Sequence, residues 1–142
     1  MEVIVYACQQ AVPDPEALKA FWSRGDAGLR VLAEPCSSKV EVFQLLRTLA
    51  APVDLVWVVG CEERFCRYDE GSARAGGRLA ATKKYLAEIG LEPARVGRTT
   101  ITPGDREALP EIMAEIKNRL VSLGPSPLGR KPQEAAAAWP LE

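Results

Sequence analysis

The hydrophobic residues of the chain fall into short runs separated by polar segments, and four of these runs predict β-strands. The first, VIVYA at residues 3–7, is largely β-branched or aromatic and does not alternate with polar residues, which is typical of a strand buried on both faces. The others are LRVLA at 29–33, DLVWVVG at 54–60 and ARVGRTTI at 94–101. The third run gives the clearest prediction, because it is β-rich and sharply bounded. The fourth is weaker, since Gly97 interrupts it.

After each of these runs, apolar residues recur with the spacing of a helix. The predicted helices cover residues 16–24, 40–50, 72–89 and about 105–123. Asp14 and Pro15 are expected to open the first helix, Ser37 or Ser38 to cap the second, and Gly90 to end the third. The positions expected to share a face are Ala17, Leu18, Phe21 and Trp22; Val42, Phe43, Leu46, Leu49 and Ala50; Ala75, Leu79, Thr82, Leu86 and Ile89; and Leu109, Ile112, Met113, Ile116 and Leu120.

Strand and helix therefore alternate four times, which predicts an α/β fold. Parallel strands need crossover connections, so we expect a single domain with a four-stranded, mostly parallel sheet and helices on both faces, of flavodoxin-like or Rossmann-like type. With 142 residues and 47% hydrophobic content, the chain is long enough to bury about two-thirds of its unfolded surface. We expect this domain to span residues 1–124. Residues 125–142 are rich in Pro and Ala and predict an extended or disordered C-terminal arm.

Composition and charge exclude several classes of function. A formal net charge of -1 and a pI near 5.7 give no electrostatic footprint for nucleic acid or an anionic membrane. No segment approaches the roughly 18 apolar residues of a membrane span, and the start MEVIVYACQQ lacks a basic leader, so we expect a cytoplasmic protein without membrane insertion. The chain has no histidine, which excludes catalysis by histidine and any mixed Cys/His zinc site.

The four cysteines follow the predicted strands. Cys8, Cys36 and Cys61 each come just after a strand run, and Cys66 lies in the loop after the third run. The carboxyl ends of parallel strands meet at one edge of a sheet, which is where open α/β folds place their sites. We therefore expect the four sulfurs to converge although they are far apart in the sequence.

Two kinds of chemistry fit four converging thiolates without histidine, which are a structural zinc site and an iron-sulfur cluster. A structural zinc site usually takes its ligands from tight CxxC pairs, whereas here 27, 24 and four residues separate successive cysteines, and this wide spread favours an iron-sulfur cluster. The thiols could instead be four small buried apolar side chains. A thiol-redox protein that uses Cys61 and Cys66 is a weaker alternative, because these residues do not form a CxxC motif.

Basic residues lie close to the last two cysteines in the sequence. Arg64, Arg67, Arg74 and Arg78, together with the N–H groups that begin the predicted third helix, would favour the more negative, reduced state of a cluster. The plainer interpretation of each of these arginines is a solvated surface residue.

Several short motifs, taken together, resemble one known family. They are Pro35-Cys36-Ser37, Val58-Val59-Gly60-Cys61 with Cys66 and Tyr68, Gly71 with Ala75 and Arg78, the segment EIGLEPAR at 88–95, and Leu123-Gly124-Pro125. In order and spacing they resemble the delta subunit of methyl-viologen-reducing hydrogenase, a family of iron-sulfur subunits. The resemblance extends over nearly the whole chain to about Pro125, and its most specific part is the segment from Gly60 to Tyr68.

The resemblance implies an electron-transfer subunit with no substrate chemistry of its own. It would carry a [2Fe-2S] cluster, for which Cys8, Cys36, Cys61 and Cys66 are the available ligands. It would relay electrons between a hydrogenase, formate dehydrogenase or other dehydrogenase subunit and a heterodisulfide-reductase-A-like flavoprotein in a larger redox complex. Some such complexes perform electron bifurcation. A zinc scaffold held by the same four cysteines is the alternative.

The chain also departs from the family pattern. The family usually has a CxxC pair after its first strand, whereas Cys8 is followed three positions later by Ala11. Arg67 stands where the family usually has His, Gly71-Ser72 replaces a Gly-Asn turn, and residues 75–78 read AGGR where the family has a basic run. The four remaining cysteines suffice for one cluster, and the changed basic segment predicts a changed partner surface.

Overall fold

The computed structural model describes residues 1–23, 27–66 and 70–128. Its sheet has four strands, which are β1 Glu2–Cys8, β2 Gly28–Glu34, β3 Leu55–Cys61 and β4 Val96–Ile101. Their order is β2-β1-β3-β4, and every neighbouring pair is parallel. The predicted α/β fold is confirmed, and the sheet is wholly rather than mostly parallel.

The helices of the described residues cover both faces of this sheet. The three α-helices are α1 Val42–Ala50, α2 Gly71–Glu88 and α3 Leu109–Leu123, and 3₁₀ helices lie at Pro15–Phe21, Ser37–Lys39, Glu63–Phe65, Pro93–Arg95 and Arg106–Ala108. α3 and the 3₁₀ helix at 15–21 pack on one face, and α1 and α2 pack on the other. The predicted placement of helices on both faces is therefore confirmed.

The central strand and the longest helices follow their predicted patterns closely. All seven residues of β3 are buried, as expected for a strand between two layers of helices. All five positions predicted for the buried face of α3 are buried, and Pro110 lies in the first turn, where its missing N–H leaves no hydrogen bond unmade. On α2 the predicted face is buried except at Ile89, which follows the last helical residue.

Two predicted helices differ from the structure. Residues 15–21 form a 3₁₀ helix rather than an α-helix, and only Leu18 in it is buried, so its packing does not support a longer α-helix. The second helix begins at Val42 after a 3₁₀ turn, so neither Ser37 nor Ser38 caps it. Its buried face is formed by Leu45 and Leu49, while Phe43 is 71% exposed. The predicted buried face includes Phe43 and omits Leu45, and it is wrong at both positions.

Hydrogen bonds of buried polar side chains connect the edge of the sheet where the strands begin, the amino edge, to the end of α3. Arg95 is 1% exposed and donates hydrogen bonds to the main-chain oxygens of Asp54, Gly124 and Pro125, at 3.0, 3.0 and 3.2 Å. The Asp54 carboxylate accepts hydrogen bonds from the N–H groups of Glu2 and Ser126, both at 2.7 Å. We call the hydrogen bonds that join Arg95, Asp54 and residues 124–126 the Arg95 clasp.

The boundary predicted at residue 124 stays a prediction, and residues 129–142 lie outside the described ranges.

None of the helices that the described ranges contain combines the length and the apolar character that a membrane crossing requires.

Candidate metal centre

The register of the sheet brings three of the four cysteines to its carboxyl edge. Cys8 and Cys61 are the last residues of β1 and β3, which are neighbours in the sheet, and Cys36 lies two residues after the end of β2. Cys66 directly follows the 3₁₀ turn at 63–65. The first three thiols are buried and Cys66 is partly exposed. The predicted meeting of strand ends is thus observed, and the four thiols lie there as two pairs.

The first pair is Cys8 and Cys61, whose sulfurs are 3.8 Å apart. This separation is far longer than the roughly 2.05 Å of a disulfide. It matches the distance of about 3.8 Å between two thiolates that bind one tetrahedral metal at about 2.3 Å. The positions of the two strand ends alone therefore bring these sulfurs to the spacing of metal ligands.

The second pair is Cys36 and Cys66, which meet over the first residue of α2. A Cβ atom at Gly71 would lie 2.5 Å from the Cys36 sulfur and 3.2 Å from the Cys66 sulfur, and the first of these distances is shorter than any side chain tolerates. Glycine at this position therefore lets both thiols approach the helix backbone. The N–H groups of the first turn of α2 also favour negative charge on these sulfurs.

The buried thiols differ in how easily they lose a proton. Burial raises the pKa of Cys61 to about 12, helped by the negative charge and hydrogen bonding of Cys8 and by the charges of Cys66 and Cys36. Burial also acts against ionisation of Cys36, but hydrogen bonds from Ser38 and Cys66 lower the pKa of Cys36 below its usual value. The four thiols thus act on one another, and a metal that binds here must displace the proton of Cys61.

Ser72 and Arg98 support the loop that connects the two pairs. The Ser72 hydroxyl donates a hydrogen bond to the main-chain oxygen of Cys61. Arg98 Nη2 donates to the main-chain oxygen and the hydroxyl of Ser72, at 2.6 and 2.8 Å. Gly76 leaves room for this guanidinium, since a Cβ there would be 3.0 Å from Nη1. The roles of Ser72 and Arg98 could not be predicted from the sequence, although the unusual glycine within α2 is a signal of close packing.

Ser37 places an unusual polar atom beside the thiols. It is 1% exposed, and its buried hydroxyl has no hydrogen-bond partner among the described residues. A Cβ at Gly60 would be 2.9 Å from this hydroxyl, so it lies against the residue before Cys61 while its own chain neighbour is Cys36. A buried hydroxyl without a partner costs about 1 to 3 kcal/mol. The site therefore contains a donor with no described acceptor.

The arginines near the site lie in different environments. Arg64 is 75% exposed, stacks on the ring of Phe65 at 4.6 Å and pairs with Glu62 at 3.5 Å. Arg74 is 67% exposed and pairs with Glu70 at 3.5 Å. These two residues follow the plainer interpretation of a solvated surface. Arg78 is partly buried, with one buried Nη1 that has no partner among the described residues, and the prediction for Arg67 falls outside them.

Three features of the site fit a metal-sulfur group. The available ligands are four thiols. Gly71 leaves space next to two of them that a methyl group would fill. The Ser37 hydroxyl is buried and has no acceptor among the described residues. Within the described ranges, no three or more Cys, Asp or Glu side chains are gathered closely enough to hold one metal ion. The arrangement is therefore two pairs of thiols rather than one four-sulfur cage.

Comparison with known proteins places the chain in a family. Residues 3–124 match the family described as methyl-viologen-reducing hydrogenase, delta subunit. The chain belongs to this family. The resemblance predicted from the motifs is confirmed, and the match covers the sheet from Val3 onward, the three α-helices and all four cysteines.

Individual relatives carry names from two kinds of redox complex. An iron-sulfur subunit of the F420-non-reducing hydrogenase of Archaeoglobus profundus is 34% identical over 97 residues, 68% of this chain and 71% of that relative. An iron-sulfur subunit of the F420-non-reducing hydrogenase vhu of Methanococcus voltae is 26% identical over 128 residues, 90% of this chain and 94% of the relative. One subunit of the Ferredoxin/F(420)H(2)-dependent CoB-CoM heterodisulfide reductase of Methanosarcina acetivorans is 30% identical over 118 residues, 83% of this chain but 15% of that protein.

Proposed function

We propose that the chain is an electron-transfer subunit of a cytoplasmic redox complex and holds a [2Fe-2S] cluster through Cys8, Cys36, Cys61 and Cys66. When bound, the cluster supplies one-electron chemistry. The relatives that are named iron-sulfur subunits support an iron-sulfur group in general. The choice of two irons and of these four ligands rests on the site itself.

The observation that carries this proposal is the arrangement of the thiols in two pairs. A single zinc ion needs four ligands around one point, whereas in a [2Fe-2S] cluster the four thiolates are divided between two irons. The 3.8 Å separation of Cys8 and Cys61 suits one metal, and the meeting of Cys36 and Cys66 over Gly71 suits a second. Two separate pairs therefore favour the cluster over structural zinc.

The same pairing disfavours a thiol-redox function. Such a function would use Cys61 and Cys66, yet the thiol nearest to Cys61 is that of Cys8, and Cys66 lies with Cys36. A pKa of about 12 also leaves Cys61 protonated at neutral pH, whereas an attacking thiol must be a thiolate.

The residues around the thiols would control how the cluster exchanges electrons. Three of the four cysteines are buried, and Cys66 is the most accessible, beside the exposed ring of Phe65. Electron transfer falls off with distance, so the side of the site at Cys66 is the side that a partner would approach. The exposed Arg64, stacked on Phe65, belongs to this surface.

The names of the relatives support two kinds of partner for this chain. Several are subunits of F420-non-reducing hydrogenases, which supports a hydrogenase as one partner. In Methanosarcina acetivorans the matching segment is part of a longer heterodisulfide reductase polypeptide, which supports a heterodisulfide-reductase-A-like flavoprotein as the other partner. A formate dehydrogenase or other dehydrogenase could take the place of the hydrogenase. The chain would then relay electrons between these two modules, in some complexes as part of electron bifurcation.

Anaerobic iron and sulfide analysis tests the proposal. We expect about two irons and two acid-labile sulfides per chain, visible absorption between about 400 and 500 nm, and an electron paramagnetic resonance signal in the reduced protein. Cys66→Ser and Cys61→Ser should each lower the iron content strongly, because each removes one member of a different pair. A colourless protein with one zinc would contradict the cluster, and iron content unchanged in Cys66→Ser would contradict the ligand set.

A further inference from the structure

Three buried side-chain atoms of the described residues have no hydrogen-bond partner, namely Arg78 Nη1, Arg98 Nε and the Ser37 hydroxyl, and of these it is the Ser37 hydroxyl that belongs to the residue next to a cysteine. It is completely enclosed, and no described residue accepts its hydrogen. Buried hydroxyl groups nearly always have a partner, so one that lacks a partner among the described residues points to an acceptor that a bound group supplies.

The position of Ser37 limits what that acceptor could be. Its chain neighbour is Cys36, a member of the second pair of thiols. Its hydroxyl packs against Gly60, which precedes Cys61 of the first pair. The hydroxyl therefore lies beside the chain neighbours of Cys36 and Cys61, one from each pair, and a sulfur of a group bound by these cysteines is the acceptor that this position favours.

Neighbouring groups do not already satisfy this role. Ser38 acts on the Cys36 thiol through its hydroxyl and its N–H, whereas the Ser37 hydroxyl lies near that thiol without a hydrogen bond of ordinary geometry. The Ser72 hydroxyl is directed to the Cys61 main-chain oxygen. Ser37 is thus the hydroxyl that remains free for a sulfur of the bound group.

We propose that the Ser37 hydroxyl donates a hydrogen bond to a sulfur of the bound cluster and thereby raises its reduction potential. The inference rests on the proposed function. A hydrogen bond to cluster sulfur stabilises the reduced, more negative state, so its loss shifts the potential to a more negative value. Ser37 is then a positioning and tuning residue rather than a ligand.

The test compares Ser37→Ala with the wild-type protein in both cluster-loaded and cluster-free forms. In the loaded protein we expect full iron content and a midpoint potential shifted to a more negative value. In the cluster-free protein we expect an unchanged or higher unfolding temperature, because the change removes a buried hydroxyl without a partner. A purely structural serine would behave in the opposite way and would lower the stability of both forms.

Ser126→Ala is the matched control. Ser126 is also a buried serine, but it lies at the Arg95 clasp, at the other edge of the sheet from the thiols. We expect its removal to leave the potential unchanged. Resonance Raman spectra in D₂O give an independent measurement: the shift of the iron-sulfur bands should be smaller in Ser37→Ala than in the wild type, since one exchangeable donor is removed.

The outcomes separate this inference from the proposed function. A wild-type protein without iron and sulfide overturns both. A loaded wild type whose potential and deuterium shift are the same in Ser37→Ala overturns the role of Ser37 alone, because the hydroxyl would then bond to a water or to nothing. Ser37→Thr, which keeps the hydroxyl, should restore the wild-type potential wherever it loads with iron.

Discussion

The two edges of the sheet both bury polar side chains, but they satisfy them to different degrees. At the amino edge, the buried guanidinium of Arg95 has the Glu92 carboxylate and the oxygens of Asp54, Gly124 and Pro125 as partners. At the carboxyl edge, the thiols lie in pairs and the Ser37 hydroxyl has no described partner. The polar groups described at the amino edge therefore satisfy one another, whereas the thiols and the Ser37 hydroxyl at the carboxyl edge are available to bind a further group.

This difference separates a structural network from a binding site. Polar groups that only stabilise a fold are expected to satisfy one another, since each unsatisfied buried group costs free energy. A site that binds a ligand holds groups that are satisfied only when the ligand is present. The comparison predicts that changes at the amino edge affect stability and leave the iron content intact, and that changes to the thiols or to the space around them at the carboxyl edge lower the iron content.

The largest effect on stability is expected from Arg95→Met. This change removes a buried charge and leaves the oxygens of Asp54, Gly124 and Pro125 without their donor, so the free energy of unfolding should fall by about 3 to 5 kcal/mol. Urea unfolding measures the loss. The fraction that remains folded should still take up iron, because the clasp lies far from the thiols in the sheet.

Arg74→Met is the control for this prediction. Arg74 is an exposed arginine on α2 whose partner Glu70 is also exposed, so its loss should change stability by less than about 0.5 kcal/mol. Equal losses in the two variants would mean that the Arg95 clasp contributes nothing beyond an ordinary surface charge.

Gly71→Ala should separate folding from metal binding at the carboxyl edge. The added methyl group would meet the sulfurs of Cys36 and Cys66, so we expect the iron content to fall by more than half. Overpacking of this kind costs about 1 to 3 kcal/mol, less than the loss predicted for Arg95→Met. Helix content, measured by circular dichroism, should not fall, because alanine favours the helix.

Gly77→Ala makes the same chemical change nearly two turns further along α2. Nothing lies within 4 Å of the position of the new Cβ, so the variant should gain up to about 1 kcal/mol of stability and keep its iron. Retention of full iron content by Gly71→Ala would show that the second pair of thiols does not need the space that glycine leaves.

Much of the fold was predictable because its signals are local or periodic. The β-rich run at 54–60 lies in the buried centre of the sheet, and the helical spacing from Leu109 to Leu120 gave the correct face of α3. The alternation of strands and helices then predicted a parallel sheet with Cys8 and Cys61 at one edge, and the structure adds that their strands are neighbours. That the four thiols hold a cluster stays a prediction.

The remaining features depend on three-dimensional contacts that the sequence does not encode locally. The grouping of Cys36 with Cys66 follows from the position of the first turn of α2, and the sequence shows Gly71 only as a turn signal. Arg95 would be expected at the surface from its charge, yet oxygens from distant segments surround it. Phe43 shows the converse, since its apolar character predicted burial and it is largely exposed.

The smallest expected effect concerns pH and the Arg95 clasp. Hydrogen bonds from Arg95, at 3.0 and 3.1 Å, lower the pKa of Glu92 below its usual value. The ionised carboxylate therefore adds stability at pH values above the ordinary glutamate pKa of about 4.3, and this contribution is lost as the pH falls through the lower pKa of the folded protein. Because the Glu92 side chain is half-exposed, Glu92→Gln should cost less than about 1 kcal/mol at pH 7.

The pH dependence distinguishes this interaction from a simple change in packing. The stability difference between wild type and Glu92→Gln, measured by urea unfolding, should shrink as the pH is lowered below about 4, since the wild-type carboxylate then becomes protonated. Glu88→Gln, at the exposed end of α2, should show little difference at either pH. A Glu92→Gln difference that stays constant from pH 7 to pH 3 would mean that Arg95 is held by the main-chain oxygens alone, and the amino edge would then be complete without this carboxylate.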